Sequence, residues 1–483
     1  MLAIGPYRPD IAASNPGVSP YVLNVTMQAD GAGIAYGPHP SLSVTSGAGA
    51  LPARPRGGAK VVLQSGTKKL FVGTAATVQE MANDFTWTSI TTGKALPSTD
   101  NWSMVQFGNK LLMTNTSDGL YAYDVETPAG AGAVSGAPKF RYIFIAFDCL
   151  FGLNADGDNR LFRNSAPNDY TNWTTGGAGY QPLADGEDLM AGGELSQGLA
   201  VVIQRKAVHL LTRTGDRRIF SRDKIADGVG ATNPWGCVFA NGAGYFIDTD
   251  GFKRVSGGGI EEIGRDKVSR TFIDSLVGSL DTLEGVHDRK RGRIVWRYQE
   301  KVNNSDTVFE KLIAYDMRLG EFAPFEAQTT GLFAAALPGY TADSASSVGD
   351  TDTVPYGPDS RFWVGGEEGL LGVNSSFKAG FFEGSNLAAT LQTGTFVSET
   401  ADLVRRVTPF TDATGATVQV GVRETLADAI TWGTAHDRET GTSWCYARSR
   451  GKCKSARLAI PSGSDWSYAR GVDFVDISAG GRR

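Results

Sequence analysis

The sequence predicts an all-β chain: a β-propeller of six or seven blades followed by a small C-terminal β-sandwich-like domain. Three observations lead there. A pattern of strand, turn, strand, turn, strand, punctuated by Gly, Asp and Asn, starts afresh every roughly 40 to 55 residues, the period of a propeller blade. The best developed run, Tyr142-Ile143-Phe144-Ile145-Ala146-Phe147, is apolar at every position, so both faces of its sheet must be covered. No amphipathic helix of useful length flanks it. Other sheets must therefore supply the cover, and radial stacking gives every blade a neighbour on both faces.

Composition agrees. Glycine fills 61 of 483 positions, nearly double the roughly 7% average, as many tight turns require. The formal charge is -5, from 46 basic and 51 acidic residues, which argues against a surface that grips phosphates globally. The four cysteines, Cys149, Cys237, Cys445 and Cys453, form no CxxC pair and read as free thiols of a reducing cytoplasm. Met1 to Asp10 lacks a basic start followed by an apolar core, so no secretory signal is expected. No apolar run approaches the ~20 residues of a membrane span.

Residues 1–58 read as an N-terminal arm and linker, with strands expected at Tyr21 to Met27 and Ser41 to Thr45 and the linker at Ser46 to Gly58. Residues 59–385 read as the propeller, its blades starting near Val61, Met104, Tyr142, Leu199, Cys237, Val286 and Leu332. NDFTW at 83–87 and NDYTNW at 168–173 look like one corner used twice, with a Trp plugging the gap between blades. One helix is expected within Gly264 to Leu280, where Val268, Phe272, Ile273 and Leu276 fall at helical spacing; it should pack on the blade before it. Thr341 to Ser360 is polar and acidic and reads as an exposed insertion. From 386 to 483 the period changes: Thr417 to Arg423 alternates cleanly, as does Ala456-Leu458-Ile460, which marks a separate small β-domain.

The chemistry-bearing residues do not assemble into a known catalytic set. His39, His209, His287 and His436 sit in no HExxH and beside no nucleophile motif, and no phosphate loop is present. Asn154 to Asp158 mimics a calcium loop without its ligand spacing and reads as a hairpin turn. No catalytic, cofactor or metal residue is therefore assigned. The two Trp corners leave open a carbohydrate-binding or glycoside-hydrolysing propeller, but no acid pair or arginine cluster is singled out. Two basic clusters remain. His287 to Arg293 reads as a solvated blade edge. Arg448, Arg450, Lys452 and Lys454 fall at every second position, so a continuous strand would set them in one cationic row, a candidate for subunit docking or anion contact.

The opening GPYRPDIAASNPGVSPYVLNV, the segments LFGLNADGDNRLFRNSAPNDYTNW and WGCVFANGAGYFIDTDGFKRV, and the ending from Trp444 through Gly480-Gly481-Arg482-Arg483 resemble the tail nozzle, hub or packaged-DNA stabilisation proteins of short-tailed bacteriophages. The likeness is one of layout over nearly the whole chain. It implies a structural, non-enzymatic virion protein without cofactor, made in the host cytoplasm. It also implies a homo-hexameric ring below the portal and adaptor proteins, closed by a needle or plug, with fibres or spikes nearby and double-stranded DNA passing non-specifically through its channel. An acidic wall suits such a channel, because phosphates are not held by it. Asp350, Asp352 and the stretch Gly365 to Glu368 are the acids considered for it.

Overall fold

The structure, a computed structural model, describes residues 2–478 apart from 13, 32, 45–46, 216–218, 277–282, 301–308, 337–367 and 440. The acidic stretch at 341–360, Asp350 and Asp352 with it, and Gly480 to Arg483 lie outside the described residues.

Seven four-stranded antiparallel sheets form the bulk of the molecule. The first strands are Gly58–Val62, Ser103–Phe107, Tyr142–Ala146, Leu189–Ser196, Val238–Ala240, Glu284–Asp288 and Gly331–Ala336, in blades one to seven. Each touches the first strand of the blade before and after it, and the seventh touches the first, so the ring is closed. The chain is thus a seven-bladed β-propeller, as its strand period predicts.

Blade three shows why the apolar runs are continuous. Tyr142–Ala146 pairs with Cys149–Leu153 through a two-residue turn, Phe147-Asp148, in which both residues take positive φ (55° and 64°). That backbone matches the strand twist but is unfavourable for a bulky side chain. Burial of the Phe147 ring beside Phe151 and Phe220 offsets the cost. Along the second strand, Leu150 faces a core shared with Leu112 and Phe140 of blade two, whereas Phe151 faces Val202 and Phe220 of blade four. Successive side chains serve two interfaces, so neither face has a polar set.

Blade four starts one strand earlier than expected, at Leu189 and not Leu199. Its first strand carries Gly192-Gly193, which breaks the apolar run. A Cβ at Gly192 would lie 2.3 Å from Phe144 and one at Gly193 2.5 Å from Phe239, so the glycines make room for rings of the adjoining inner strands. Blade seven takes its outer strand from the start of the chain. Pro40–Val44 pairs with Ala379–Asn386, Leu42 opposite Phe382 and Ser43 opposite Phe381. The strand expected at 41–45 therefore exists, but it closes the propeller.

The remaining strands make one eleven-stranded sheet, nearly closed on itself, that forms a separate domain. Its path runs Val22–Leu23, Ala389–Gln392, Cys445–Ile460, Phe396–Thr411, Ala469–Ser478, Gly33–Pro38, Val25–Asp30, with Thr417–Arg423 on the other edge of Cys445–Ile460. Val404, Val407, Val420, Ala447 and Leu458 fill its core. Segment 1–58 is shared between this sheet and blade seven.

Blade six is the mounting point. Asn24 accepts from Glu326 N at 2.8 Å and its amide donates to Ala388 O at 2.9 Å, while Arg8 pairs with Glu321. The helix is shorter than expected, Ser269–Ser275, and lies on blade five through Phe272 against Phe252, ring centroids 4.6 Å apart. Its N-terminus is capped from a distance. Asp10 accepts from the backbone N of Arg270 (2.9 Å) and of Thr271 (2.8 Å).

Candidate functional site

Polar groups gather at the propeller axis, at the junction of blades six and seven and on the second domain, and each place is set by the strand layout. The first is the propeller axis. Its cavity, about 490 Å³, is bounded by all seven first strands, and Met104, Ile143, Phe144, Phe239, Val286 and Phe333 supply much of its wall. The charged groups there are engaged: Lys60 lies 2.6 Å from Glu368, and Glu284 lies 2.7 Å from the fully buried Arg297. Glu368, weighed as a channel acid, is thus tied to Lys60 and Lys68 of blade one.

The second is the cluster 287–293, which the sequence placed on a solvated edge. It bridges blades six and seven instead. Lys290 pairs with Glu383 at 2.8 Å, and Arg291 donates to Phe382 O at 3.2 Å. Arg293 is buried, its Nε donating to Asp288 at 2.8 Å and its Nη2 to His39 Nε2 at 3.0 Å. His39 Nδ1 donates to Pro40 O at 2.9 Å, so the ring is neutral, and it stacks on Phe325 with centroids 4.0 Å apart. Burial, with Arg293 beside it, pushes the His39 pKa well below the ordinary histidine range. This constellation pins the strand that closes the ring. Sequence reasoning missed it because its members are 249 or more positions from His39; the HDRKRGR run was the only local signal.

His209 is held by structure too. His209 Nε2 lies 2.9 Å from Gln204 Oε1, and burial lowers its pKa to about 4. Burial pushes the Cys149 and Cys445 thiols up to about 11, which leaves them protonated and weakly nucleophilic. No group of three or more His, Cys, Asp or Glu suited to a metal ion occurs among the described residues. Asn154 to Asp158 is a tight turn with Asn154 and Asp156 at positive φ. The two Trp corners share one geometry: Asp84 accepts from Thr86 N and Oγ1 (3.0 and 2.6 Å), and Asp169 from Thr171 N and Oγ1 (2.9 and 2.6 Å). Trp173 is buried against Phe140, filling the gap between blades two and three.

The third place is the cationic row. Cys445–Ile460 is one continuous strand, and Arg448, Arg450 and Lys452 project from it, exposed. Lys454 does not join them. It is fully buried, 3.0 Å from Asp402, and its ammonium holds the Asp402 carboxyl below the usual carboxylate range. Neighbouring Arg405 extends the patch from the adjoining strand. Arg405, Arg448, Arg450 and Lys452 make no ion pair among the described residues, whereas Lys60, Lys69, Arg141, Lys253 and Arg297 of the propeller all do. From residue 386 on, the sequence holds 12 basic and 10 acidic residues, against 34 and 41 before it. The charge of the chain is therefore polarised.

No protein-family model matches the sequence, and no curated protein matches it. Solved structures similar in fold include the β-propeller domain of Swd1 from Myceliophteria thermophila, at 9% identity over 61% of this chain and 95% of that one, with a TM-score of 0.37. Another is a catalytically inactive virginiamycin B lyase from Staphylococcus aureus with quinupristin, at 13% identity over 61% and 94%, with a TM-score of 0.39. Likeness at this level carries nothing about activity. No helix among the described residues is long and apolar enough to cross a membrane.

Proposed function

We propose that the chain is a structural virion protein of a short-tailed bacteriophage, a tail-nozzle subunit whose hexameric ring retains packaged DNA and conducts it on ejection. The observation that carries this reading is mechanical. The start of the chain supplies both the last strand of the propeller and four strands of the second domain, so one segment ties the two domains together into a single tile. A tile of this kind suits a load-bearing ring. The cavity on the propeller's own axis, about 490 Å³, is too small to admit a duplex, so in this reading DNA runs between copies and not through one. The ring would meet the portal and adaptor proteins above and a needle or plug below.

The test is DNA retention. Filled capsids that lack this protein should release nuclease-sensitive DNA, and added purified protein should stop the release. Leakage that continues at saturating protein would contradict the proposal.

A further inference from the structure

A cavity of about 270 Å³ lies where blade six meets the second domain. Two hairpins of the blade reach it. Glu284–Asp288 and Arg293–Tyr298 are joined by the turn 289–292, and Phe309–Asp316 and Glu321–Thr329 by the turn 317–320. Across from them runs Val25–Asp30, the end strand of the eleven-stranded sheet, whose Val25, Thr26 and Met27 form the opposite wall. On the blade side Ala314 and Ala323 leave room, and Arg291, Arg293 and Arg318 line the space.

Arg293 is the fixed part of this place. Its side chain is buried, held at Nε by Asp288 (2.8 Å) and at Nη2 by His39 (3.0 Å), while Nη1 donates to no group among the described residues. A buried guanidinium N–H without an acceptor is costly, so the cavity beside it favours an occupant that carries acceptor atoms. The other two arginines are loosely matched. Among the described residues Arg291 comes no nearer a carboxylate than Asp288, at 3.7 Å, and Arg318 no nearer than Asp316, also at 3.7 Å. Asp316, the one carboxylate among the described residues lining the cavity, is itself engaged by the backbone N of Arg318 and of Leu319, at 2.8 and 3.0 Å. The Arg318 side chain lies back toward the neighbouring turn, its Nε 3.7 Å from where a Cβ on Gly292 would stand. Lys290, paired with Glu383, also lines the cavity.

The geometry points to this cavity as a binding site for a small tetrahedral oxyanion of the phosphate class, held by Arg291, Arg293 and Arg318 and walled on its far side by the second domain. Charge selects an anion. Donors from three separate side chains on two hairpins suit a group with acceptor oxygens on every side better than a planar carboxylate, which takes a single arginine fork edge-on. Enclosure between two domains selects a free ion over the phosphate of a duplex, whose flanking sugars would have to enter as well. An ion so placed touches both domains and stiffens their junction. The site is complete within one copy of the chain, so it stands apart from the ring proposed above.

The experiment is calorimetric titration of the full chain with inorganic phosphate, at an ionic strength held constant with chloride. One site per chain is expected, and sulfate should compete for it. Replacing Arg318 by glutamine should weaken binding about tenfold, the loss of one charged donor, and replacing it by lysine, which keeps the charge but not the planar fork, should weaken it less. Arg289→Gln is the control: that side chain is exposed on the same turn but does not line the cavity, so binding should be unchanged. Arg318 is exposed too, so its variants should melt like the parent in chloride; a melting shift of the glutamine variant would pass the comparison to the lysine one. Added phosphate should raise Tm of the parent and of the Arg289 variant by more than that of the Arg318 variants. Absence of phosphate binding overturns the proposal, as does a loss from Arg289→Gln equal to that from Arg318→Gln, which marks a diffuse layer of counter-ions. So does duplex DNA that binds in an Arg318-dependent manner while free phosphate does not. Failure here would leave sixfold rings unaffected, and failure to form rings would leave phosphate binding intact.

Discussion

Replacing Asp288 by leucine tests the lock on the closing strand. Asp288 is fully buried and accepts from Arg293 Nε at 2.8 Å, and Arg293 in turn bonds His39, the residue before Pro40–Val44. Removing the carboxylate strands a buried guanidinium, which costs about 3–5 kcal/mol. With an unfolding entropy of about 2.1 cal/mol/K per residue, a cooperative unit of roughly 330 residues loses about 0.7 kcal/mol per degree, so Tm should fall by about 4–7 °C. Thermal melting measures this, and hydrogen exchange should show Leu42 to Val44 losing protection before the blade interiors. Replacing Asp288 by leucine and Arg293 by methionine together removes both charges and should cost less, about 1–3 kcal/mol, because no buried charge is stranded and what remains is His39 Nε2 without its donor and Arg291 N without its acceptor. A single variant within about 1 kcal/mol of the parent, or a double variant no better than the single, would refute the reasoning.

Three further outcomes follow from the same structure. The folded pKa of His39 is depressed by burial and by Arg293, so the unfolded chain takes up a proton near pH 6.5 that the folded one refuses. Stability should be flat above about pH 6.5 and fall below it by about 1.4 kcal/mol per pH unit for this one residue, with His209 and His287 shifted in the same direction. Urea midpoints between pH 5 and 8 measure it, and replacing His39 by glutamine should flatten the slope. Asp10→Ala removes the remote cap of Ser269–Ser275 and should cost about 1 kcal/mol, with faster amide exchange at Arg270 and Thr271; unchanged exchange there would deny the cap its role. Phe151→Ala empties the core between blades three and four and should cost about 3–5 kcal/mol by denaturant titration, whereas the exposed Tyr180→Ala should fall within about 0.5 kcal/mol.

Much of the architecture was legible because it is local. Hairpins such as Tyr142 to Leu153 announce themselves by apolar runs and turn residues, and the need to cover both faces of Leu150-Phe151 leads to radial stacking. What escaped was non-local or small. The pairing of Pro40–Val44 with Ala379–Asn386 spans most of the chain, and nothing near residue 40 marks the partner. The first strand of blade four is hidden in the sequence because Gly192 and Gly193 answer to rings two blades apart, Phe144 and Phe239, not to strand propensity. The cationic row was visible as an alternation, but alternation alone could not show that Lys454 turns inward to Asp402. Nor could it show Arg405 joining from the adjoining strand.

The most direct test of the proposed role is electron microscopy of the purified protein, alone and beside the adaptor ring, with class averages viewed down the assembly axis. The account predicts sixfold rings with an open centre, each subunit a disc of seven wedges carrying one smaller lobe. Persistent monomers in the presence of adaptor, or a ring whose centre is filled by the chain itself, would contradict it.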